Sequence, residues 1–230
     1  MEKNYEVIDI DKNINPEYCF KAVVSGNSGV GKTSLVRYEV HNQFESDNNA
    51  TATLVFDHFS KNYKIGDKII RIQIWDTCGN ETYEEIMKSF YRSALCIFIV
   101  FSLDDENSFL NLNKWLNDIK NINENESPII ILIGNKKDKV SERQISKEEI
   151  ENYCKKNDID TYYETSAKTG ESIHELFKEV VRKLYIKFIE PITSDDYSTK
   201  TSQTLAQNPG INFKCGINSE KCKVFNCQIY

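Results

Sequence analysis

The stretch Gly26-Asn27-Ser28-Gly29-Val30-Gly31-Lys32-Thr33 decides the fold, because it fits the pattern G-x-x-x-x-G-K-[ST] of loops that wrap nucleotide phosphates. The apolar residues 20–24 before it predict a short buried strand, and residues 34–38 after it predict the first turns of a helix. Phosphate binding requires a strand, this loop and a helix in that order. The loop alone leaves an alternative open, which is a glycine turn without a ligand.

Both the backbone and the side chains of this loop are expected to hold phosphate. Its glycines let successive N–H groups point inward around the β-phosphate, and the helix N-terminus adds a partial positive charge. Lys32 would reach the β- and γ-phosphate oxygens, and the Thr33 hydroxyl would bind Mg²⁺. The candidate phosphate-binding residues are Ser28, Gly29, Val30, Gly31, Lys32, Thr33 and Ser34.

A second segment indicates which base is bound. Residues 128–134 form a β-branched apolar run, typical of a strand buried on both faces, and lead into Asn135-Lys136-Lys137-Asp138. Ligands of open α/β sheets bind outside the carboxyl ends of the strands. There Asp138 can accept two hydrogen bonds from the N1–H and 2-amino groups of guanine, a donor pair that adenine lacks. Lys136 can lay its alkyl stem over the base. The alternative interpretation of residues 135–138 is a polar turn that follows a strand and binds no base.

A third string, Glu164-Thr165-Ser166-Ala167-Lys168, follows a predicted strand at 161–163 and by itself could be a helix N-cap. Together, the three strings resemble those of small GTPases of the Ras superfamily, over roughly residues 18 to 190. The resemblance implies an α/β fold, the three-layer P-loop NTPase (small G domain), with a mostly parallel sheet and helices on both faces. It implies GTP and GDP as ligands, with a backbone contact from Ala167 to the guanine O6. The residues it assigns to the base are Asn135, Lys136, Asp138, Ser166, Ala167 and Lys168.

The middle of the chain indicates the branch of the superfamily. Residues 72–81 resemble the W-D-T-A-G-Q-E string of Rab proteins, with departures at Cys78 and Asn80. Residues 90–94 resemble the Rab string Y-Y-R-G-A, and residues 104–109 resemble the Rab stretch that leads into the third helix. The resemblance to Rab proteins implies a GTP-hydrolysing switch that recruits effectors in vesicle and membrane trafficking. An exchange factor, a GTPase-activating protein and effectors are the implied partners.

The same resemblance implies which residues bind the metal ion and which segments act as switches. Asp76 is expected to hold Mg²⁺, and the Gly79 N–H to couple the γ-phosphate to residues 80–92, which form a switch segment. Phe44 falls where the family places an aromatic ring against guanine. A threonine of the first switch should contact Mg²⁺, and counting from the two flanking motifs gives two candidates, Thr51 and Thr53.

Departures from the Rab strings bear on activity. Asn80 stands where the family has a glutamine that orients the attacking water, and its shorter side chain misplaces the amide group. A misplacement of about 1 Å can lower the rate by on the order of 10²-fold. Cys78 adds bulk beside the γ-phosphate, so we expect slow hydrolysis with Asn80, Lys32 and Gly79 as the catalytic residues. The segment 54–58 departs from the Rab string I-G-V-D-F, which predicts altered effector recognition. The alternative function is a GTP-bound scaffold or binding module that hydrolyses poorly.

Composition agrees with one globular domain plus extensions. The chain has 230 residues, of which 40% are hydrophobic, and its net charge of −6 without a long basic block argues against nucleic acid as a partner. It contains no run of roughly 18 apolar residues and no N-terminal signal pattern, so we expect neither a membrane span nor secretion. Seven scattered cysteines predict reduced thiols in the cytoplasm. We expect a monomer.

The predicted organisation has three parts: an N-terminal extension at 1–17, the small GTPase domain at 18–190 and a flexible, polar tail at 191–230. The chain ends in Cys227-Gln228-Ile229-Tyr230, which has the spacing of the prenylation pattern C-a-a-X although its second residue is not aliphatic. A lipid on Cys227 would place the protein on the cytosolic face of an intracellular membrane. An unmodified tail is the alternative.

Overall fold

A mostly parallel β-sheet organises the chain, of which the structure, a computed structural model, describes residues 5–44, 53, 55–79, 84–123, 128–193 and 211–213. Its main strands are β1 Val7–Ile10, β2 Tyr18–Ser25, β3 Phe56–Ile65, β4 Lys68–Thr77, β5 Cys96–Ser102, β6 Ile129–Asn135 and β7 Thr161–Glu164. They lie in the order β1-β3-β4-β2-β5-β6-β7. A short strand, β8 Ile211–Phe213, pairs antiparallel with the start of β2.

Helices cover both faces of this sheet. They are α1 Lys32–His41, α2 Glu84–Tyr91, α3 Glu106–Leu110, α4 Leu112–Ile122, α5 Lys147–Asn157 and α6 Ile173–Leu184, which continues through a π-helical turn, Tyr185–Ile189, into α7 Glu190–Thr193. One core includes Leu35 of α1 and Phe177 of α6, whereas the other includes Leu116 of α4 and Ile150 of α5. Since successive residues of a strand point to opposite faces, these are the two sides of one sheet. The three-layer α/β fold predicted from the sequence is confirmed.

The carboxyl ends of five parallel strands meet along one side of the sheet, which we call the carboxyl edge. Strands β2, β4, β5, β6 and β7 pair in parallel. Their register places Val24 beside Asp76 and Ser102 beside Asn135, so these strands end at similar heights. The loops that follow them therefore converge, and all three predicted nucleotide-binding strings begin at this edge.

Two strands lie outside the predicted domain of residues 18–190. Strand β1 pairs antiparallel with β3, with Val7 beside Ile65, and so attaches part of the predicted N-terminal extension to the sheet. Strand β8 lies within the predicted tail, and α7 carries helical backbone past residue 190 to Thr193. The domain boundaries stay predictions, and Cys227 lies outside the described residues. Among the described helices, none has the length and apolar character that a bilayer span requires.

A buried carboxylate joins β1, β3, α1 and α6 into one corner of the fold. Glu39 is fully buried and accepts hydrogen bonds from Lys61 Nζ at 2.5 Å and from the Tyr63 hydroxyl at 2.8 Å. His174 Nδ1 lies 2.7 Å from its other oxygen, and Lys61 Nζ also lies 2.8 Å from an Asp9 carboxylate oxygen. Burying a carboxylate is costly unless it is paired and hydrogen-bonded, and here both conditions are met. We call these five residues the Glu39 cluster.

Candidate functional site

The phosphate loop joins β2 to α1 at the carboxyl edge. Helix α1 begins at Lys32, and Gly31 before it has a φ of 93°, a left-handed conformation that favours glycine. A Cβ at Gly31 would lie 2.3 Å from Asn135 Nδ2, so glycine also permits the last residue of β6 to approach. The strand, loop and helix thus follow one another as the motif predicted. Of the other loop positions, Ser28 and Gly29 are exposed, Val30 is buried, and Thr33 and Ser34 are half-buried.

The Lys32 side chain folds back over the loop. Its ammonium donates to the Gly26 carbonyl oxygen at 2.9 Å and to the Asn27 carbonyl oxygen at 2.7 Å. Burial lowers the pKa of Lys32 to about 8, although the nearby Asp76 carboxylate opposes that shift. The side chain is therefore still mostly protonated at neutral pH. A buried cation beside a helix N-terminus is well placed to meet phosphate oxygens.

Oxygen atoms from three predicted metal-site residues converge beside Lys32. The Thr33 hydroxyl donates to Asp76 Oδ2 at 2.5 Å and lies 2.8 Å from the Thr53 hydroxyl oxygen. Asp76 is fully buried, and its Oδ1 atom has no hydrogen-bond partner among the described residues. Burial raises the pKa of Asp76 to about 6. An unpaired buried carboxylate oxygen among hydroxyls fits a hard cation such as Mg²⁺. Thr51, the other candidate, lies outside the described residues.

The segment after β4 packs directly on the phosphate loop. A Cβ at Gly79 would lie 2.2 Å from the Ser28 amide nitrogen and 2.3 Å from the Asn27 carbonyl carbon, so only glycine fits this approach. Cys78 is buried, and its Sγ lies 3.9 Å from Met87 Sδ of α2. Of the predicted catalytic residues, Lys32 and Gly79 thus come together, whereas Asn80 lies outside the described residues.

Two predicted base loops, residues 135–138 and 164–168, meet the phosphate loop at Asn135, which is the first residue of the former. Its Nδ2 donates to the Val30 carbonyl oxygen at 2.9 Å. Its Oδ1 accepts from the Thr165 hydroxyl and from the Ala167 amide, each at 3.2 Å. Asn135 is 1% exposed, so all three hydrogen bonds are shielded from water. We call these three bonds the Asn135 clamp, because one side chain fixes three segments that are distant in sequence.

The two predicted base loops also meet at Asp138. The Ser166 hydroxyl donates to Asp138 Oδ1 at 2.6 Å, and the Thr169 amide donates to the same hydroxyl at 3.1 Å. Asp138 is half-buried, whereas the Lys168 side chain is exposed. Phe44, which follows α1, is 37% exposed and has a ring available for contact. The carboxylate that would select guanine is thus held in place by the neighbouring loop.

Sequence reasoning missed two charged groups that support these loops. Asp104 follows β5, and its oxygens lie 3.6 Å from Lys136 Nζ and 2.8 Å from Lys139 Nζ. Arg143 donates two hydrogen bonds to Glu164, at 2.7 and 3.0 Å, and so ties the loop after β6 to the end of β7. Paired bonds of this kind fix geometry as well as adding stability. The sequence around Asp104 and Arg143 contains no pattern that predicts which residues they pair with.

An aromatic cluster borders the two predicted switch segments. It consists of Phe56, His58, Trp75 and Phe90. The Trp75 ring centroid lies 5.4 Å from Phe56, 4.9 Å from His58 and 5.4 Å from Phe90. The Phe56 side chain is 43% exposed and His58 is also exposed, so this apolar surface faces solvent. All four residues lie in segments compared with Rab strings in the sequence, 54–58, 72–81 and 90–94, but their meeting in one cluster was not predicted.

A phosphate loop, an acidic metal-type site and an N-K-x-D base loop at one carboxyl edge define a P-loop nucleotide-binding protein of the guanine class. A sequence model of the Ras family matches residues 21–186, and the chain belongs to this family. Members of the family are GTPases that bind GTP and GDP.

The similar curated proteins are Rab proteins. The Ras-related protein Rab-9A of Rattus norvegicus is 34% identical over 203 residues, which cover 85% of this chain and 96% of the relative. Rab-9A of Homo sapiens is 36% identical over 168 residues, 72% of this chain and 82% of the relative. Rab-2B of Dictyostelium discoideum is 35% identical over 176 residues, 76% and 85% respectively. The chain is a Rab-like small GTPase, a GTP-binding switch of vesicle trafficking.

Proposed function

We propose that GTP and GDP bind along the carboxyl edge, with the phosphates in the loop at 26–33 and the base between the two base loops. The observation that carries this proposal is the meeting of Asp138 and Ser166 beside the Asn135 clamp. The Asp138 carboxylate presents acceptors for the N1–H and 2-amino donors of guanine, and the Ala167 amide would contact O6. Adenine would leave those groups unpaired, which is the strong form of discrimination.

Thr33, Thr53 and Asp76 are proposed to hold Mg²⁺, with Asp76 acting directly or through a water molecule. The orphaned Asp76 Oδ1 and the short Thr33–Thr53 distance of 2.8 Å support this set. We assign the switch threonine to Thr53 for the same reason. When bound, Mg²⁺ would neutralise charge on the β- and γ-phosphate oxygens. Lys32 would move from its two carbonyl acceptors to those oxygens.

Hydrolysis at this site is proposed to depend on positioning by Lys32, Gly79 and Asn80. Phosphoryl transfer to water needs little covalent help, so orientation and charge stabilisation supply most of the acceleration. The close packing of Gly79 on the phosphate loop supports its amide as a γ-phosphate donor. Asn80 would orient the attacking water less well than a glutamine, and intrinsic hydrolysis would be slow. Single-turnover assays should show faster hydrolysis for Asn80→Gln; an unchanged rate would overturn this proposal.

Effectors are proposed to bind the aromatic cluster when the switch segments are ordered by GTP. Its exposed Phe56 lies in the first predicted switch, residues 44–57, and the exposed His58 follows directly after it. Both replace the usual Rab side chains, so the effectors should differ from those of common Rabs.

Cys227 is proposed to carry a prenyl group that anchors the protein, as a monomer, to the cytosolic face of an intracellular membrane. Intact mass from the native cell tests this, because an unmodified mass would contradict it.

The nucleotide carried by the purified protein is the direct test of the proposed site. We expect GDP or GTP after extraction, slow conversion of bound GTP to GDP, and loss of that conversion when Mg²⁺ is chelated. Asp76→Ala should weaken retention of the nucleotide in Mg²⁺ but not in chelator, where wild type and variant should match. Recovery of adenine nucleotide, or equal retention by both proteins in Mg²⁺, would contradict the proposal.

A further inference from the structure

A hydrogen bond joins the second residue of the phosphate loop to the distant helix α4. Trp115 Nε1 donates to Asn27 Oδ1 at 2.9 Å, across 88 positions of the sequence. The Trp115 side chain is 4% exposed and packs in the core on the α4 side of the sheet. A buried indole N–H usually finds an acceptor, but here the acceptor belongs to the nucleotide loop. The contact therefore links core packing to the loop conformation.

Asn27 also lies against both groups that are expected to meet the γ-phosphate. Its carbonyl oxygen accepts from Lys32 Nζ at 2.7 Å, and its carbonyl carbon would lie 2.3 Å from a Cβ at Gly79. The backbone of Asn27 is thus the common support of Lys32 and Gly79. Its side chain, in turn, is held by Trp115.

We propose that Trp115 is a positioning residue for phosphate binding and hydrolysis, acting through Asn27. This inference rests on the proposed function of the loop. The indole fixes the side chain of Asn27, and that restraint sets where the Asn27 carbonyl, the Lys32 ammonium and the Gly79 amide lie. Because errors of about 1 Å at a reacting group are costly, a restraint of this kind changes rate as well as affinity.

Four proteins test the proposal: wild type, Trp115→Phe, Asn27→Ala and the double variant. The phenylalanine keeps an aromatic ring but removes the donor, whereas the alanine removes the acceptor. The loss of one neutral hydrogen bond corresponds to a change of about two- to tenfold in an equilibrium or rate constant. Each single variant should therefore release GDP faster and hydrolyse GTP more slowly in single-turnover assays, by about two- to tenfold in each case. The double variant should match the single variants, since both remove the same bond.

A core variant separates positioning from general loss of stability. Phe109→Leu alters a partly buried ring packed against the same core, and it should lower the melting temperature while leaving both nucleotide rates unchanged. A direct signature comes from NMR, because the chain has two tryptophans and hence two indole N–H signals. The signal that is absent from the spectrum of Trp115→Phe belongs to the Trp115 indole. It should shift in Asn27→Ala, a variant that leaves the core residues unchanged.

The outcomes separate the two levels of inference. Wild-type protein that binds no guanine nucleotide overturns the proposed function and this inference together. If the wild-type protein binds guanine nucleotide, either of two results overturns only the positioning role. One is that the single variants have unchanged nucleotide rates, and the other is that the losses add in the double variant. If Trp115→Phe does not fold, Asn27→Ala decides alone: unchanged rates and an unshifted indole signal overturn the role, and altered rates with a shifted signal support it.

Discussion

Removing the Asn135 side chain should release nucleotide without destroying the fold. Asn135→Ala deletes the amide that holds the Val30 carbonyl, the Thr165 hydroxyl and the Ala167 amide. These three groups belong to the phosphate loop and to one of the base loops. Because Val30 lies in one loop and Thr165 and Ala167 in another, the two loops would lose a shared reference point and the nucleotide would meet a less ordered site.

The size of the effect follows from three buried bonds. A neutral hydrogen bond contributes about 1 kcal/mol net, so losing all three costs roughly 3 kcal/mol. If nucleotide binding has to restore the loop geometry, that cost appears in binding, and a loss of 3 kcal/mol corresponds to on the order of 10²-fold in the GDP dissociation constant. The 1% exposure of Asn135 leaves water little access to replace the lost partners.

GDP dissociation measured with a fluorescent analogue is the assay, and Asn62→Ala is the matched control. Asn62 is also fully buried, donating to the Asp11 and Ile14 carbonyls and accepting from Arg71, but it lies far from the carboxyl edge. Both variants should lower the melting temperature, whereas only Asn135→Ala should speed GDP release. GDP release within threefold of wild type for Asn135→Ala would refute the role of the clamp.

Three further perturbations test other parts of the molecule. Glu39→Ala should lower the free energy of unfolding by roughly 1–3 kcal/mol in chemical denaturation, because the buried Tyr63 hydroxyl loses its acceptor while Lys61 keeps only Asp9; a loss below about 0.5 kcal/mol would contradict this. Thr53→Ala should lower the Mg²⁺ affinity of the GTP-bound form about tenfold in Mg²⁺ titrations, and an unchanged titration would point to another threonine. Burial alone would raise the pKa of Glu164, but hydrogen bonds from Arg143 and Tyr162 hold it below its ordinary value of 4.5. The wild type should therefore lose stability as the pH falls from 4.5 through that lower pKa, and Glu164→Gln should lack this loss; parallel pH profiles would contradict the pairing.

Much of the fold and the carboxyl edge could be predicted because the relevant residues stand in short contiguous strings. Lys32, Thr33 and Asp138 each follow an apolar strand, and a parallel sheet brings such strand ends together. The spacing of Ser146 and Glu149 likewise predicts a capping box, and both of its hydrogen bonds are present at the start of α5. Local patterns of this kind need no knowledge of distant contacts.

What could not be predicted depends on residues far apart in the chain. Glu39 on its own is an acid in a helix, and only its partners on β3 and α6 explain its burial. The link between Trp115 and Asn27 is equally invisible in sequence. Counting along the chain left Thr51 and Thr53 equivalent, because loop length is not fixed by the flanking motifs. The 2.8 Å distance between the Thr33 and Thr53 hydroxyl oxygens supports our proposal of Thr53, whereas Thr51 lies outside the described residues.

Competition between GDP and ADP for the nucleotide-free protein tests the central claim most directly. A site built to pair with a two-donor edge rejects a base without it by roughly 10⁴-fold, so GDP should displace the bound analogue at far lower concentration than ADP. Equal affinities for GDP and ADP would contradict the role of Asp138 and, with it, the assignment of the guanine site.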